Sequence, residues 1–259
     1  MSGAGGRSSS ASSPIPAVLP EERIAALGFS AADTATLAAH FLDAESRGKL
    51  GHGLSRIDWL ETLPGLQPDA SPQRLHAEAG YERWDGGGAL GYLTLAAICE
   101  AQLADPPPHA RVIVASNCFP TGALGWYVRR LAEGGLVAAL TATSPARLPH
   151  PDGSEPLAGT NPLAIAIPSS DGKPIVSDVS MGAVTYGDVL RGAATPAELV
   201  PFGGEQSHKA FALALGLELL VAALAGEGYG AVLVVAAPES DPVPALRQRA
   251  AGLRLPGGA

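Results

Sequence analysis

Five short apolar runs constrain this chain more than any other feature: "RVIVASN", "GLVAALTAT", "NPLAIAIPS", "KPIVSDVSM" and, near the end, "GAVLVVAAP". Each is rich in Val, Ile, Leu or Ala and is bounded by Gly, Pro or Asp, which predicts strands. The helix "LGWYVRRLAEGG" separates the first two. The chain before them has helical period. Glu21 and Glu22 open a helix after Pro20, and "SAADTATLAAHFLDAESRG" starts with Ser30 as N-cap and Asp33 three residues later. "GHGLSRIDWLETLPG" then gives a Gly-flanked turn and a third helix stopped by Pro64-Gly65. Residues 66–78 read as loop, "AEAGYERWDGGGALG" as a glycine-rich hairpin, and "GYLTLAAICEAQLAD" as a helix ended by three prolines. "KAFALALGLELLVAALAG" is apolar almost without a break, which predicts a buried helix, and "DPVPALRQRAAGL" is a short final one. The pattern is α+β: a flexible tail over 1–20, a mainly helical part over 21–105, a sheet-bearing part over 106–204, and a segment 205–259 that completes both.

The formal net charge of -8 argues against a nucleic-acid partner. Two cysteines, Cys99 and Cys118, give neither a disulfide framework nor a zinc set, and His40, His76, His109 and His150 share no ligand spacing, so no metal is expected. No uninterrupted apolar run of about 18 residues marks a membrane span. The N-terminus lacks a signal-type apolar core, so the expected location is cytoplasmic.

Two stretches invite chemistry. In "VIVASNCFPTGALGW" a strand ends in Ser116-Asn117-Cys118 before a helix begins, a common place to hold a reactive side chain. A thiol near pKa 8.5 is a poor proton carrier at neutrality unless its surroundings lower that value, and the alternative is a small buried hydrophobe. In "GHGLSR", His52 and Arg56 are four residues apart and would share a helix face if the helix had begun by His52. An imidazole titrating near 6.5 suits proton transfer, and a guanidinium fork matches a carboxylate.

Six segments in order resemble the second type of malate/L-lactate dehydrogenase, which includes ureidoglycolate and sulfolactate dehydrogenases and diketogulonate and piperideine-carboxylate reductases. They are "GHGLSR", "DGGGALGYLTLAAICEA", "SNCFPTGALGWYVRRLAEGGLVAALTATSP", "AGTNPLAIAIP", "VSDVSMGAVTYG" and "PFGGEQSHKAFALALGLELLVAALAG". The resemblance implies a non-Rossmann nicotinamide-binding sheet domain in 106–204, a mainly helical substrate part in 21–105, and a homodimer. It implies NADH or NADPH as cofactor and hydride transfer to a small-molecule 2-oxo acid or cyclic imine. It assigns His52 to proton transfer, Cys118 to the place of a second catalytic imidazole, Arg56 and Asn117 to substrate, and Ser144, Asp178, Val179, Ser180 and Lys209 to cofactor. Asn161 in "GTNP" reads as structural. The sequence departs from the family pattern at Gly51 (for Ser), Cys118 (for His) and Ala210 (for Gly), and in a shortened stretch between Tyr186 and Pro201. Those departures leave open a relative turned to a non-redox step, or a non-catalytic dimerising homologue.

Overall fold

A computed structural model describes residues 19–257. Three helices open it: α1 (Pro20–Ala26), α2 (Ala31–Ser46) and α3 (Ser55–Glu61), with a 3-10 turn at Leu50–His52 between the last two. The expected cap is present, since Ser30 Oγ accepts a hydrogen bond from the Asp33 N–H at 3.1 Å. The apolar sides of these helices meet in a core of Ile24, Leu37, Phe41, Ile57 and Leu60, closed by Leu90, Tyr92 and Leu93 from the start of α4 (Gly91–Ala104).

A seven-stranded sheet carries the rest, in the order β1-β2-β3-β9-β4-β7-β8. Its strands are β1 (Gln73–Glu78), β2 (Tyr81–Asp85), β3 (Ala110–Ser116), β4 (Val137–Ala142), β7 (Leu163–Ile167), β8 (Ile175–Val179) and β9 (Ala231–Ala236); β5 (Leu148–Pro149) and β6 (Pro156–Ala158) form a separate ribbon. Only β2 and β3 pair in parallel, and α4 makes the crossover between them. All other neighbours are antiparallel.

The apolar runs lack polar alternation because both faces of the sheet are covered. Ile113, Ala115, Leu233 and Val235 face α4 and α5 (Leu124–Glu133). Their neighbours Val114 and Val232 pack against Val221 and Ala225 of α7 (Ser207–Ala225). Two short helices, α6 (Tyr186–Leu190) and α8 (Val243–Arg249), complete the chain.

Some expectations change. The expected glycine-rich hairpin forms as β1 and β2, but its first strand reaches back to Gln73 through residues read as loop, and every residue of β1 is exposed, so no apolar alternation marks it. The sheet also takes in strands expected outside 106–204: the hairpin supplies β1 and β2, and β9 from 205–259 inserts between β3 and β4. Helix α7 is not buried, for Leu213, Leu219, Leu220 and Leu224 are 40–61% exposed. It is long and apolar enough by composition to cross a membrane, but its other face packs on the sheet. The tail expected over 1–20 lies, up to residue 18, outside the described residues, and Pro20 already opens α1.

Candidate active site

A cavity of about 330 Å³ lies between the 3-10 turn, the start of α3, the segment 119–123 after β3, the ends of β4 and β8, and α6. His52 and Arg56 both line it, although not as one helix face. The 3-10 turn ends at His52, Gly53 breaks the chain direction, and α3 starts only at Ser55. The turn is held from outside by a close backbone approach: a Cβ on Gly187 would sit 1.8 Å from the Gly51 carbonyl oxygen. A Cβ on Gly51 would meet Thr185 Oγ1 at 2.7 Å, so the Thr185–Asp188 capping box of α6 fills the space a side chain there would take.

The site holds buried nitrogens without partners among the described residues: the donors Arg56 Nε and Nη1, and His52 Nδ1. Behind them the Tyr92 hydroxyl faces Arg56, with no partner within hydrogen-bonding distance among the described residues. Such groups are costly unless a ligand supplies acceptors. The Arg56 guanidinium lies 5.0 Å from the Trp59 ring centroid. His52 is pushed down to about 4, first by burial and then by the Arg56 charge, so its imidazole is neutral near pH 7. His40, which accepts from the Ala123 N–H at 3.1 Å, is pushed down to about 3 chiefly by burial.

The cofactor-side expectations divide. Ser144, Asp178 and Ser180 line the same cavity as His52 and Arg56. Ser144 Oγ accepts from the Thr160 N–H at 3.1 Å, and its own N–H donates to Asn161 Oδ1 at 3.2 Å. Asn161 is fully buried and also donates to the Ala214 carbonyl and Glu218 at 2.9 Å, tying the motif to α7. Asp178 receives the ammonium of Lys49. These two residues and Ala123 are shared with a second cavity of about 480 Å³, which Val179 lines together with Arg47, Arg129 and Arg254. Arg129 Nε is buried and unpaired among the described residues. Lys209 is exposed in the first turn of α7 and lines neither cavity.

Two further expectations do not meet the cavity. Cys118 is fully buried in the core under α4 and α5, does not line it, and is pushed up to about 12 by burial. Its residue type was compatible with either role, and the turn packs it as a small buried side chain. Asn117 is exposed at φ 51°, and its side-chain amide donates to Asp85 at 2.9 Å, fastening β3 to the end of β2. The residues just after them, 119–123, line the cavity instead. Sequence reasoning missed Lys49, Thr160, Tyr92 and the Thr185–Asp188 pair. For Lys49 the signal was its place three residues before His52; for the others only tertiary contact reveals the role.

A family model for malate/L-lactate dehydrogenase matches residues 19–195. The chain belongs to that family. Among curated relatives, it is 32% identical over 228 residues to the Delta(1)-pyrroline-2-carboxylate/Delta(1)-piperideine-2-carboxylate reductase of Pseudomonas putida, covering 77% of this chain and 66% of that one. It is 28% identical over 232 residues to a (2R)-3-sulfolactate dehydrogenase (NADP(+)) of Chromohalobacter salexigens, covering 79% and 69%. A 2,3-diketo-L-gulonate reductase of Citrobacter koseri is 32% identical over 166 residues, 61% of this chain and 48% of that one. The chain thus spans from about half to about two thirds of the length of these relatives. Among solved structures, the delta1-piperideine-2-carboxylate reductase of Pseudomonas syringae pvar. tomato superposes with TM-score 0.78 at 23% identity, covering 92% of this chain and 88% of the other. A malate dehydrogenase of Entamoeba histolytica gives 0.79 at 19% identity, covering 93% and 84%. These likenesses establish the malate/L-lactate dehydrogenase fold, a mixed α/β structure around a mainly antiparallel sheet.

Proposed function

We propose that this family member is an oxidoreductase that transfers a hydride from NADH or NADPH to a small 2-oxo acid or cyclic imine, and runs the reverse reaction on the 2-hydroxy or 2-amino acid. The observation that carries the reading is the pairing, in one cavity, of a neutral imidazole with a guanidinium whose buried nitrogens have no partner.

The donor set fits a nicotinamide. The hydroxyls of Ser144, Ser180 and Thr160 and the carboxylate of Asp178 offer polar contacts beside His52 and Arg56. For the phosphate groups of a dinucleotide the adjoining cavity supplies Arg129 and Arg254, together with Arg47, which Asp43 already holds. When bound, the cofactor supplies a hydride, two electrons and one proton-equivalent delivered to carbon. Arg56 then holds the substrate carboxylate in the plane of its fork, turning the reacting carbon toward the hydride. His52 gives its proton to the oxygen or nitrogen that gains charge, and recovers it from solvent; in the reverse direction the neutral imidazole takes that proton. Walls from 119–123 and α6 limit water around the reacting atoms.

The test is direct. The purified chain should bind NADH or NADPH by calorimetry and oxidise it on adding a cyclic imine acid or 2-oxo acid, and His52→Ala should lower turnover by about two to four decades while cofactor binding persists. Unchanged turnover in that variant would remove His52 from the reaction.

One observation favours a non-redox relative: Lys49 already engages Asp178, a carboxylate assigned to the cofactor. Absence of nicotinamide binding at millimolar concentration would decide for it. We further propose that a second copy covers the leucine face of α7, giving a homodimer, and that segments 21–105 and 106–204 supply the substrate and cofactor sides.

A further inference from the structure

The charges lining the first cavity do not balance. Its cationic side chains are Lys49, Arg56 and Arg147, and its carboxylates are Asp178 and Asp188. Lys49 is paired with Asp178, and Asp188 is paired with Arg191 at 3.0 Å. Arg56 and Arg147 are left without a carboxylate among the described residues, in a chain whose net charge is -8. One substrate carboxylate satisfies one guanidinium, and a second remains.

Arg147 is built to present its donors. Its guanidinium carbon lies 3.3 Å from the centroid of the Tyr186 ring. Stacking uses the face of the guanidinium and leaves its edge N–H groups free for a planar anion. Both ends of the stack are fixed. The Arg147 N–H donates to the Ala158 carbonyl at 2.8 Å, joining it to the β5–β6 ribbon, and Tyr186 is the first residue of α6, whose cap is the Thr185–Asp188 box. Arg56 rises from α3 and Arg147 from the segment after β4, so the two guanidinia reach the cavity from different elements.

We propose that Arg147, stacked on Tyr186, is a specificity-determining residue that binds a second acidic group of the substrate, so that the preferred substrate is a 2-oxo diacid rather than a monoacid. This rests on the oxidoreductase reading of the cavity and narrows its substrate class. A single-carboxylate substrate leaves the Arg147 donors unmatched, and the mismatch falls on binding rather than on the hydride step. A phosphate of the cofactor offers the same chemistry to Arg147, and the experiment separates the two sources.

The measurement is the ratio of kcat/KM for a diacid to that for a monoacid of matched length, oxaloacetate against 2-oxobutanoate and 2-oxoglutarate against 2-oxopentanoate. The native chain should favour the diacid of one pair at least tenfold. Arg147→Met should lower that ratio about ten- to a hundredfold, chiefly through KM, and Arg147→Lys should restore part of it. A ratio near one in the native chain, or one unmoved by Arg147→Met, overturns the assignment. So does an equal loss on both acids accompanied by a higher KM for the nicotinamide, which would place a cofactor phosphate on Arg147. If neither a 2-oxo acid nor a cyclic imine acid is reduced, the oxidoreductase reading fails separately, and calorimetry with malate and 2-hydroxybutanoate still decides. Equal affinities, or a malate preference that survives Arg147→Met, overturn the role of Arg147.

Discussion

His52 and Cys118 are both protonatable side chains in segments that resemble family motifs, and the fold gives them opposite fates. His52 keeps access to a cavity while burial and Arg56 hold it near 4. As general acid it must carry a proton, and the protonated fraction falls tenfold per pH unit above its pKa. The kcat/KM for reduction should therefore decline as pH rises from 5 to 8, while oxidation, which needs the neutral imidazole, should stay level over that range. Rate profiles measured in both directions check this; parallel profiles would contradict it. Cys118 has no access, and its thiol is held near 12. Cys118→Ser should leave turnover within about twofold and lower stability by about 1 kcal/mol, read from denaturant midpoints. Thiol labelling of the native chain should be slow until it unfolds.

Among elements, the contact of the 3-10 turn with α6 is the tightest determinant of site geometry. Gly187→Ala places a methyl on the Gly51 carbonyl and must push α6 away from the turn. The expected outcome is a loss of about 1–3 kcal/mol and a larger fractional loss of activity than of secondary structure, compared by thermal melts and assay. Helix α7 poses a different problem. Its inner face is fastened by Val221, Ala225 and the Asn161 contacts, while Leu213, Leu219, Leu220 and Leu224 face outward. An apolar stripe of that extent requires a cover. Leu219→Arg should convert the proposed dimer to monomer in sedimentation velocity, and a native chain that sediments as a monomer at micromolar concentration would refute the dimer.

For the molecule as a whole, the buried histidines contribute to its acid sensitivity. In the unfolded chain His40 and His52 take up protons near pH 6.5; in the fold they do not until about 3 and about 4. Between those limits the unfolded state binds more protons, so stability rises with pH and is lost as pH falls below 6.5. The slope approaches about 1.4 kcal/mol per pH unit for each histidine between pH 6 and 4.5. His40→Gln should flatten that part of the stability profile, measured by urea unfolding across pH.

The sequence by itself determined the strands β3, β4, β7, β8 and β9, helices α2, α4 and α5, the Ser30 cap and the family. Each follows from local period, capping chemistry or contiguous motifs, which act over a few residues. It also singled out His52 and Arg56, because motif and residue chemistry agreed. The hairpin of β1 and β2 was legible from its glycines, but only the tertiary structure decided that β1 extends back to Gln73, since a wholly exposed strand carries no apolar pattern and is held by pairing with β2. Only it decided that β9 enters the middle of the sheet, that Cys118 points into the core while 119–123 line the cavity, and that Lys49 meets Asp178 from 129 residues away. Those outcomes depend on which distant surfaces come together to exclude water and match charge, and no window of sequence contains both partners.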